Sequence, residues 1–184
     1  MLAFLTTDAD LTSEELQPML KEAVSESFNC ITVDGETSTN DSVIMLANGA
    51  SGVKHLTKPD KNAIANAIHF ACLEMAHAIV KDGEGATKFV TIRVSGGKTK
   101  SEAKRAAFAI ADSNLVKTAL YGGDPNWGRI ISAVGASGAS IKPDSVRIAL
   151  NEIEVFAEEK PKEDGVNALA KGLQDPEVMI EVDL

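Results

Sequence analysis

The chain has 184 residues, with 18 Lys and Arg against 27 Asp and Glu, a formal net charge of −9, and 44% hydrophobic but 4% aromatic residues. That length suits one large domain or two small packed ones and lets about two-thirds of the unfolded surface be buried without staples. The hydrophobic content excludes disorder, the acidic balance argues against nucleic-acid or anionic-membrane binding, and the scarcity of rings argues against base-stacking platforms.

No apolar stretch reads as long enough to span a bilayer. Cys30 and Cys72, in a chain without a signal peptide, point to reduced thiols and a cytoplasmic setting. Met1-Leu2-Ala3-Phe4-Leu5 reads as the middle of a buried strand, and residues 178–184 alternate as a strand with no closing turn. Either both ends are strands severed from a larger assembly, or Met1 is an ordinary initiator opening an edge strand. Thr12 and Glu15 spell a capping box, so a helix starts there, beginning late or kinking at Pro18. Residues 30–33 read as a short β-rich run, 34–41 as a polar loop and 43–46 as a buried strand. Pro59 opens a helix to about Lys81 that is apolar nearly all round and is expected to be sandwiched between other elements.

Residues 89–94 read as a strand, and Ser95-Gly96-Gly97 as the clearest internal break. Thr99 and Glu102 form a second capping box heading a helix to about Asp112. Residues 116–121 read as a strand, and Asp124-Pro125 as the cap of a helix through about Val134. Strands at 146–150 and 153–156 are joined by a hairpin at Asn151-Glu152, and a helix near 164–173 precedes the last strand. This mixed order predicts an α+β layered fold in two parts, residues 1–96 and 97–184.

Two stretches approach a phosphate-binding loop. Gly123-Asp124-Pro125-Asn126-Trp127-Gly128-Arg129-Ile130 has the glycine spacing but lacks the Lys and the hydroxyl, whereas Gly97-Lys98-Thr99 has the ending but Ile92 stands at the first glycine position. Punctuation before a helix is the better reading of both. His69 and Cys72 lie one turn apart, but His77 falls roughly 140° round the helix from Cys72, so three ligands do not converge and no metal site is expected.

Glu84 stands between Gly83 and Gly85 just after the long helix. The helix dipole disfavours an acid there by roughly 0.3–1 kcal/mol. It is either a solvated loop acid beside Asp82 or a carboxylate placed to bind a substrate ammonium. The loop at 34–41 is either an active-site wall ordered by Asx and Ser/Thr turns or a surface turn. Residues 122–128 are either a binding loop or a packing corner.

Four stretches then occur in one order. They are Met1-Leu2-Ala3-Phe4-Leu5-Thr6-Thr7-Asp8-Ala9, Asp34-Gly35-Glu36-Thr37-Ser38-Thr39-Asn40-Asp41, Asp82-Gly83-Glu84-Gly85-Ala86-Thr87-Lys88 and Tyr121-Gly122-Gly123-Asp124-Pro125-Asn126-Trp127-Gly128-Arg129. Together they resemble the β chain of the ornithine acetyltransferase (glutamate N-acetyltransferase) family of bifunctional arginine-biosynthesis enzymes. The resemblance implies an αββα sandwich of the N-terminal-nucleophile kind with a smaller C-terminal α/β domain. It also implies a precursor that cleaves itself between an Ala and a Thr, leaving that Thr as nucleophile at the head of the β chain. Acetyl passes from N-acetylornithine to this Thr and then to glutamate; some members also accept acetyl-CoA as a donor substrate, and no cofactor is implied.

The nucleophile would stand just before Met1, so no catalytic residue is expected within residues 1–184. The oxyanion donors and a substrate-binding Lys belong to the α chain, and a substrate-binding tail would follow Leu184. Glu84 alone carries over, as the carboxylate that binds a substrate amino group. The implied partners are the α chain and the small-molecule substrates, in an (αβ)2 or larger assembly, with no nucleic acid and no membrane. The rivals are an N-terminal-nucleophile amidase or aminopeptidase, which would release free acetate, and a non-catalytic regulatory subunit encoded without an upstream α region.

Overall fold

In the computed structural model, which describes residues 1–169 and 172–184, the chain divides into two units, Met1–Gly83 and Glu84–Leu184. The first unit runs β1 (Leu2–Thr7), α1 (Ser13–Ser25), a 3₁₀ turn at Phe28–Cys30, β2 (Ser42–Ala47) and α2 (Lys58–Lys81). Both helices start on reciprocal caps. Thr12 accepts from the Glu15 amide at 3.4 Å while Glu15 accepts from the Thr12 amide at 3.1 Å. Thr57 and Asp60 repeat the device at 3.4 and 2.9 Å, with Pro59 in the first turn. Pro18 lies inside α1 without delaying its start. Lys61 of α2 reaches Glu15 of α1 at 2.5 Å.

β1 and β2 pair in parallel, from Leu2 opposite Ser42 to Thr7 opposite Ala47. A parallel pair needs a crossover, and α1 supplies it. Strand alternation turns Ala3 and Leu5, with Val43, Met45 and Ala47, towards α1 and α2, where they meet Leu16, Ala23, Phe28, Ile68, Cys72 and Ala76. The same alternation leaves Leu2, Phe4, Ile44 and Leu46 on the other face, 65, 64, 43 and 62% exposed. This unit is therefore one helix layer on one two-stranded sheet, with the far side of the sheet apolar and open.

Three expectations for this unit need correction. Residues 31–33 join no sheet; buried Phe28 and a bond from the Cys30 thiol to the Ser25 carbonyl hold the segment as a turn instead. Helix α2 is not sandwiched within its unit: the Ile68, Cys72 and Ala76 stripe is buried, while Ala63, Ala67, Phe70 and Ala78 on the opposite side are exposed. It is also long and apolar enough to cross a bilayer by length and composition, contrary to the sequence reading, although its buried stripe belongs to the core of this unit.

The second unit runs β3 (Phe89–Ser95), α3 (Lys100–Ala111), α4 (Asn114–Tyr121), α5 (Trp127–Ala136), β4 (Arg147–Leu150), β5 (Ile153–Ala157), β6 (Lys160–Pro161), α6 (Glu163–Leu169) and β7 (Glu177–Asp183). The sheet order is β3-β7-β4-β5-β6, parallel between β3 and β7 and antiparallel elsewhere. Its inner face carries Ile148, Leu150, Val155, Val178, Ile180 and Val182, packed with Ile110, Val116, Ile130 and Val134 of the helices. Its other face is polar: Arg93 pairs with Glu181 at 2.8 Å and Ser95 with Asp183 at 2.9 Å, each across one rung of the ladder.

Because β3 is locked to β7 in this way, the units divide between Gly83 and Glu84, not at Gly96 as the sequence suggested. Gly96 instead ends the strand at φ 74°, where a Cβ would stand 2.7 Å from the Leu184 carbonyl. Residues 116–121, read as a strand, form α4. Ser113 accepts from the Val116 amide at 3.3 Å, and Val116, Ala119 and Leu120 bury at helical spacing. The cap of α5 is Asn126, which accepts from Arg129 at 3.1 Å, while Asp124 accepts from the Asn126 side chain. At α3, Thr99 caps the Glu102 amide at 3.2 Å, but Glu102 Oε2 is buried without a partner, so the second capping box is half made. Asn151 and Glu152 turn the expected hairpin at φ 48° and 67°.

Ile180 is fully buried at the centre of the sheet. Ile180→Ala should destabilise the second unit by about 2–5 kcal/mol in a denaturant melt. In the first unit, hydrogen bonds from Lys61 and then from the Thr12 amide hold the Glu15 carboxyl below its ordinary value of 4.5. A depressed carboxyl contributes stability above 4.5 that fades as the pH falls through its lower folded value. Glu15→Gln should therefore lower Tm slightly at neutral pH, the pair being partly exposed, and the difference from wild type should shrink as the pH falls below 4.5.

Candidate functional site

Two features of the first unit bear on chemistry, and both lie at the start of its sheet. The terminal ammonium of Met1 donates to Asp41 Oδ1 at 2.7 Å, and the Met1 carbonyl accepts from the Ser42 amide at 3.1 Å. Asp41 is itself fixed, because its other oxygen accepts from the Ser38 amide at 3.1 Å. The hydrogen bond from the Met1 nitrogen, and then that from Ser38, holds the Asp41 carboxyl below its ordinary value. The loop before it is built from short side-chain turns: Thr32 accepts from Gly35, Asp34 from Glu36 and Ser38 from Asn40, at 2.9–3.2 Å. Such turns replace regular secondary structure as the partner of backbone amides.

Glu84 opens the second unit in a turn after α2. It is exposed, and its carboxylate makes no ion pair or hydrogen bond among the described residues. Gly85 beside it has φ 71° and open space around the position a Cβ would take, so nothing in this unit crowds the turn. A groove of about 500 Å³ in the same unit lies elsewhere, between α3 and the end of α5, lined by Ser101, Lys104, Arg105, Phe108 and Ser137 among others. Glu84 is not part of it.

The remaining candidates resolve into packing and caps. Trp127 stacks on Phe156 with ring centroids 4.7 Å apart, and Arg129 donates to the Leu115 carbonyl and Thr118 hydroxyl at 2.9 and 3.0 Å. Within residues 122–128, Trp127 is thus packed, whereas Gly122 and Asp124 are exposed, as is Tyr121 before them at 77%. Gly97 and Thr99 serve the start of α3, where a Cβ on Gly97 would press on the Ala103 amide. Cys72 is buried, which pushes its thiol up, and His69 and His77 are half-buried on the same helix. Among the described residues no group of three or more His, Cys, Asp or Glu side chains is placed to hold a metal ion.

Asp41 was not singled out by the sequence, since only the parallel register of β1 and β2 brings it to Met1. The signal available was its place at the end of a polar loop directly before a strand.

The two units define an α+β protein with one sheet open on its apolar face. The family model described as the ArgJ family matches residues 1–184, and the chain belongs to that family. It is 47% identical over its whole length to the "Arginine biosynthesis bifunctional protein ArgJ" of Geobacillus stearothermophilus, covering 45% of that protein. It is 46% identical to the "Glutamate N-acetyltransferase" of Methanocaldococcus jannaschii, again over its whole length and 47% of the relative. The crystal structure of the arginine biosynthesis bifunctional protein ArgJ from Bacillus halodurans superposes with a TM-score of 0.90 at 40% identity, over all of this chain and 88% of that one. The chain thus spans about half the length of the curated relatives it matches.

Proposed function

We propose that this chain is the β part of a glutamate N-acetyltransferase of arginine biosynthesis, acting in the cytoplasm together with an α part from the same precursor. The carrying observation is the open apolar face of the β1–β2 sheet in a chain that matches its relatives over half their length. Parallel sheets are covered on both faces, and a two-stranded sheet is marginal alone. Leu2, Phe4, Ile44 and Leu46 therefore call for a second sheet laid against them, which makes the αββα sandwich, and the α part is the segment that supplies it. Assembly into (αβ)2 or larger units goes with this reading.

The names of the relatives, glutamate N-acetyltransferase and arginine biosynthesis bifunctional protein, support acetyl transfer as the reaction. In that reaction the hydroxyl of a Thr preceding Met1 attacks the acetyl carbon of N-acetylornithine. The bond from that carbon to the ornithine nitrogen breaks, ornithine leaves with the hydroxyl proton, and an acetyl ester remains. The glutamate amine then attacks the ester, giving N-acetylglutamate and restoring the hydroxyl. The α-amine of the Thr serves as its base. Donors on the α part stabilise the tetrahedral oxyanion. From this chain, Glu84 supplies a carboxylate for an amino group of the ornithine-type substrate; its unpartnered state leaves it available.

Residues 1–184 alone should show no acetyl exchange between N-acetylornithine and glutamate, and clear turnover by this segment would refute the reading. In the full-length protein, exchange without release of free acetate is expected. Glu84→Ala there should lower kcat/KM for N-acetylornithine by about tenfold or more, roughly 1.4 kcal/mol of transition-state stabilisation. An unchanged value removes Glu84 from the site.

A further inference from the structure

We propose that the groove between α3 and the end of α5 binds a small organic anion, one with a carboxylate or phosphate head and an apolar body. Its volume of about 500 Å³ falls in the range of small-molecule sites, roughly 300–1,000 Å³. It lies within the second unit, uses no residue near either end of the chain, and does not include Glu84. The inference goes beyond the acetyl-transfer reading and does not rest on it.

The sequence of α3 makes the groove amphipathic along its length. Ser101, Lys104, Arg105 and Phe108 stand at i, i+3, i+4 and i+7, so one helical face carries all four, while Ala106 and Ile110 turn to the core. The hydroxyl and both cations fall on the first half of that face. Phe108 and Ala109 fall on the second half, and Ala136 at the end of α5 completes an apolar wall there. None of the lining residues is Asp or Glu, although the whole chain carries 27 of these against 18 Lys and Arg. Along residues 98–105 the balance reverses, with Lys98, Lys100, Lys104 and Arg105 against Glu102 alone. Such a local excess of cations draws in anions that the rest of an acidic surface repels.

Both groove cations are seated. Arg105 Nη2 donates to the Gly138 carbonyl at 3.3 Å, a bond that crosses from α3 to the turn after α5. A guanidinium has five N–H donors in a planar fork, and this side chain is 53% exposed, so part of the fork faces outward for a carboxylate or phosphate. Glu102 comes no nearer to the same nitrogen than 4.0 Å, too far to take up a donor. The Lys104 ammonium stands 5.9 Å from the Phe108 ring centroid, within cation–π range, where the polar and apolar halves meet. On the opposite wall Ser137 Oγ donates to the Val134 carbonyl at 2.6 Å and accepts from the Ala139 amide at 3.1 Å, which fixes the end of α5. An anionic head thus meets two charged donors and the Ser101 hydroxyl, and an apolar body attached to it covers Phe108, Ala109 and Ala136.

The test is calorimetric titration of the full-length protein with four probes: phenyl phosphate, phenylacetate, inorganic phosphate and phenethylamine. One or both of the aryl anions should saturate with a Kd of about 5 mM or below, a value within reach of a ligand of about ten heavy atoms. The tighter of the two tells whether the head is a phosphate or a carboxylate. Inorganic phosphate, which lacks the body, and phenethylamine, which lacks the negative charge, should each bind about tenfold or more weakly than the better aryl anion. Lys104→Gln and Arg105→Gln should each weaken the aryl anions by about tenfold or more, whereas Lys98→Gln, the same change of charge outside the groove lining, should stay within about twofold. The Tm of each variant without probe reports that it is folded, and the probe should raise Tm in wild type and much less in the two groove variants. Absence of saturation by about 50 mM, aryl-anion binding unchanged in both groove variants, an equal loss in Lys98→Gln, or equal affinity for inorganic phosphate or phenethylamine would each overturn the proposal.

Discussion

The parallel pairing of β1 with β2 is the constraint on which the rest depends. It sets which residues of each strand face α1 and α2, and by the same alternation which four apolar side chains face away. Shifting the register by one residue would carry Ala3 and Leu5 out of the core and Phe4 into it. The register also decides that Asp41, one residue before β2, lies level with the first residue of the chain. Core, open face and candidate site are thus three consequences of a single ladder.

The second unit shows what a finished sheet looks like by comparison. There the face away from the helices carries polar pairs, with Arg93 against Glu181 and Ser95 against Asp183 two rungs apart. These exposed pairs add little stability, but they make the surface soluble as it stands. The first sheet has no such charges on its outer face, and its apolar side chains are too large and contiguous for an ordinary exposed surface. The two sheets thus differ in the chemistry of their outer faces, charged and polar in one and apolar in the other.

Local chemistry was legible wherever a side chain talks to backbone within a few residues. The Thr12 cap, the start of α2 at Pro59 and the Asn151-Glu152 hairpin follow from such short-range rules, and so do most strand positions. What misled was apolar patterning over short runs. In residues 116–121 Val116 and Leu120 fit either period, and the Ser113 cap with Ala119 buried at i+3 decides for a helix. Asp124 looked like the cap of α5, but its carboxylate is used by Asn126, which takes over the role. Long-range pairing was invisible: nothing near Gly96 announces that the strand before it belongs with residues 177–183. Glu84 was conspicuous from its glycine neighbours, whereas Asp41 depended on a contact between residues far apart in sequence.

The two carboxylates illustrate opposite ways of using a negative charge. Asp41 has both oxygens engaged, one by the terminal ammonium of Met1 and the other by the Ser38 amide. Glu84 has neither oxygen engaged among the described residues, so it can accept an ammonium but gains a fixed direction only when one arrives. The chain's charge of −9 favours a cationic amine over an anion in its neighbourhood.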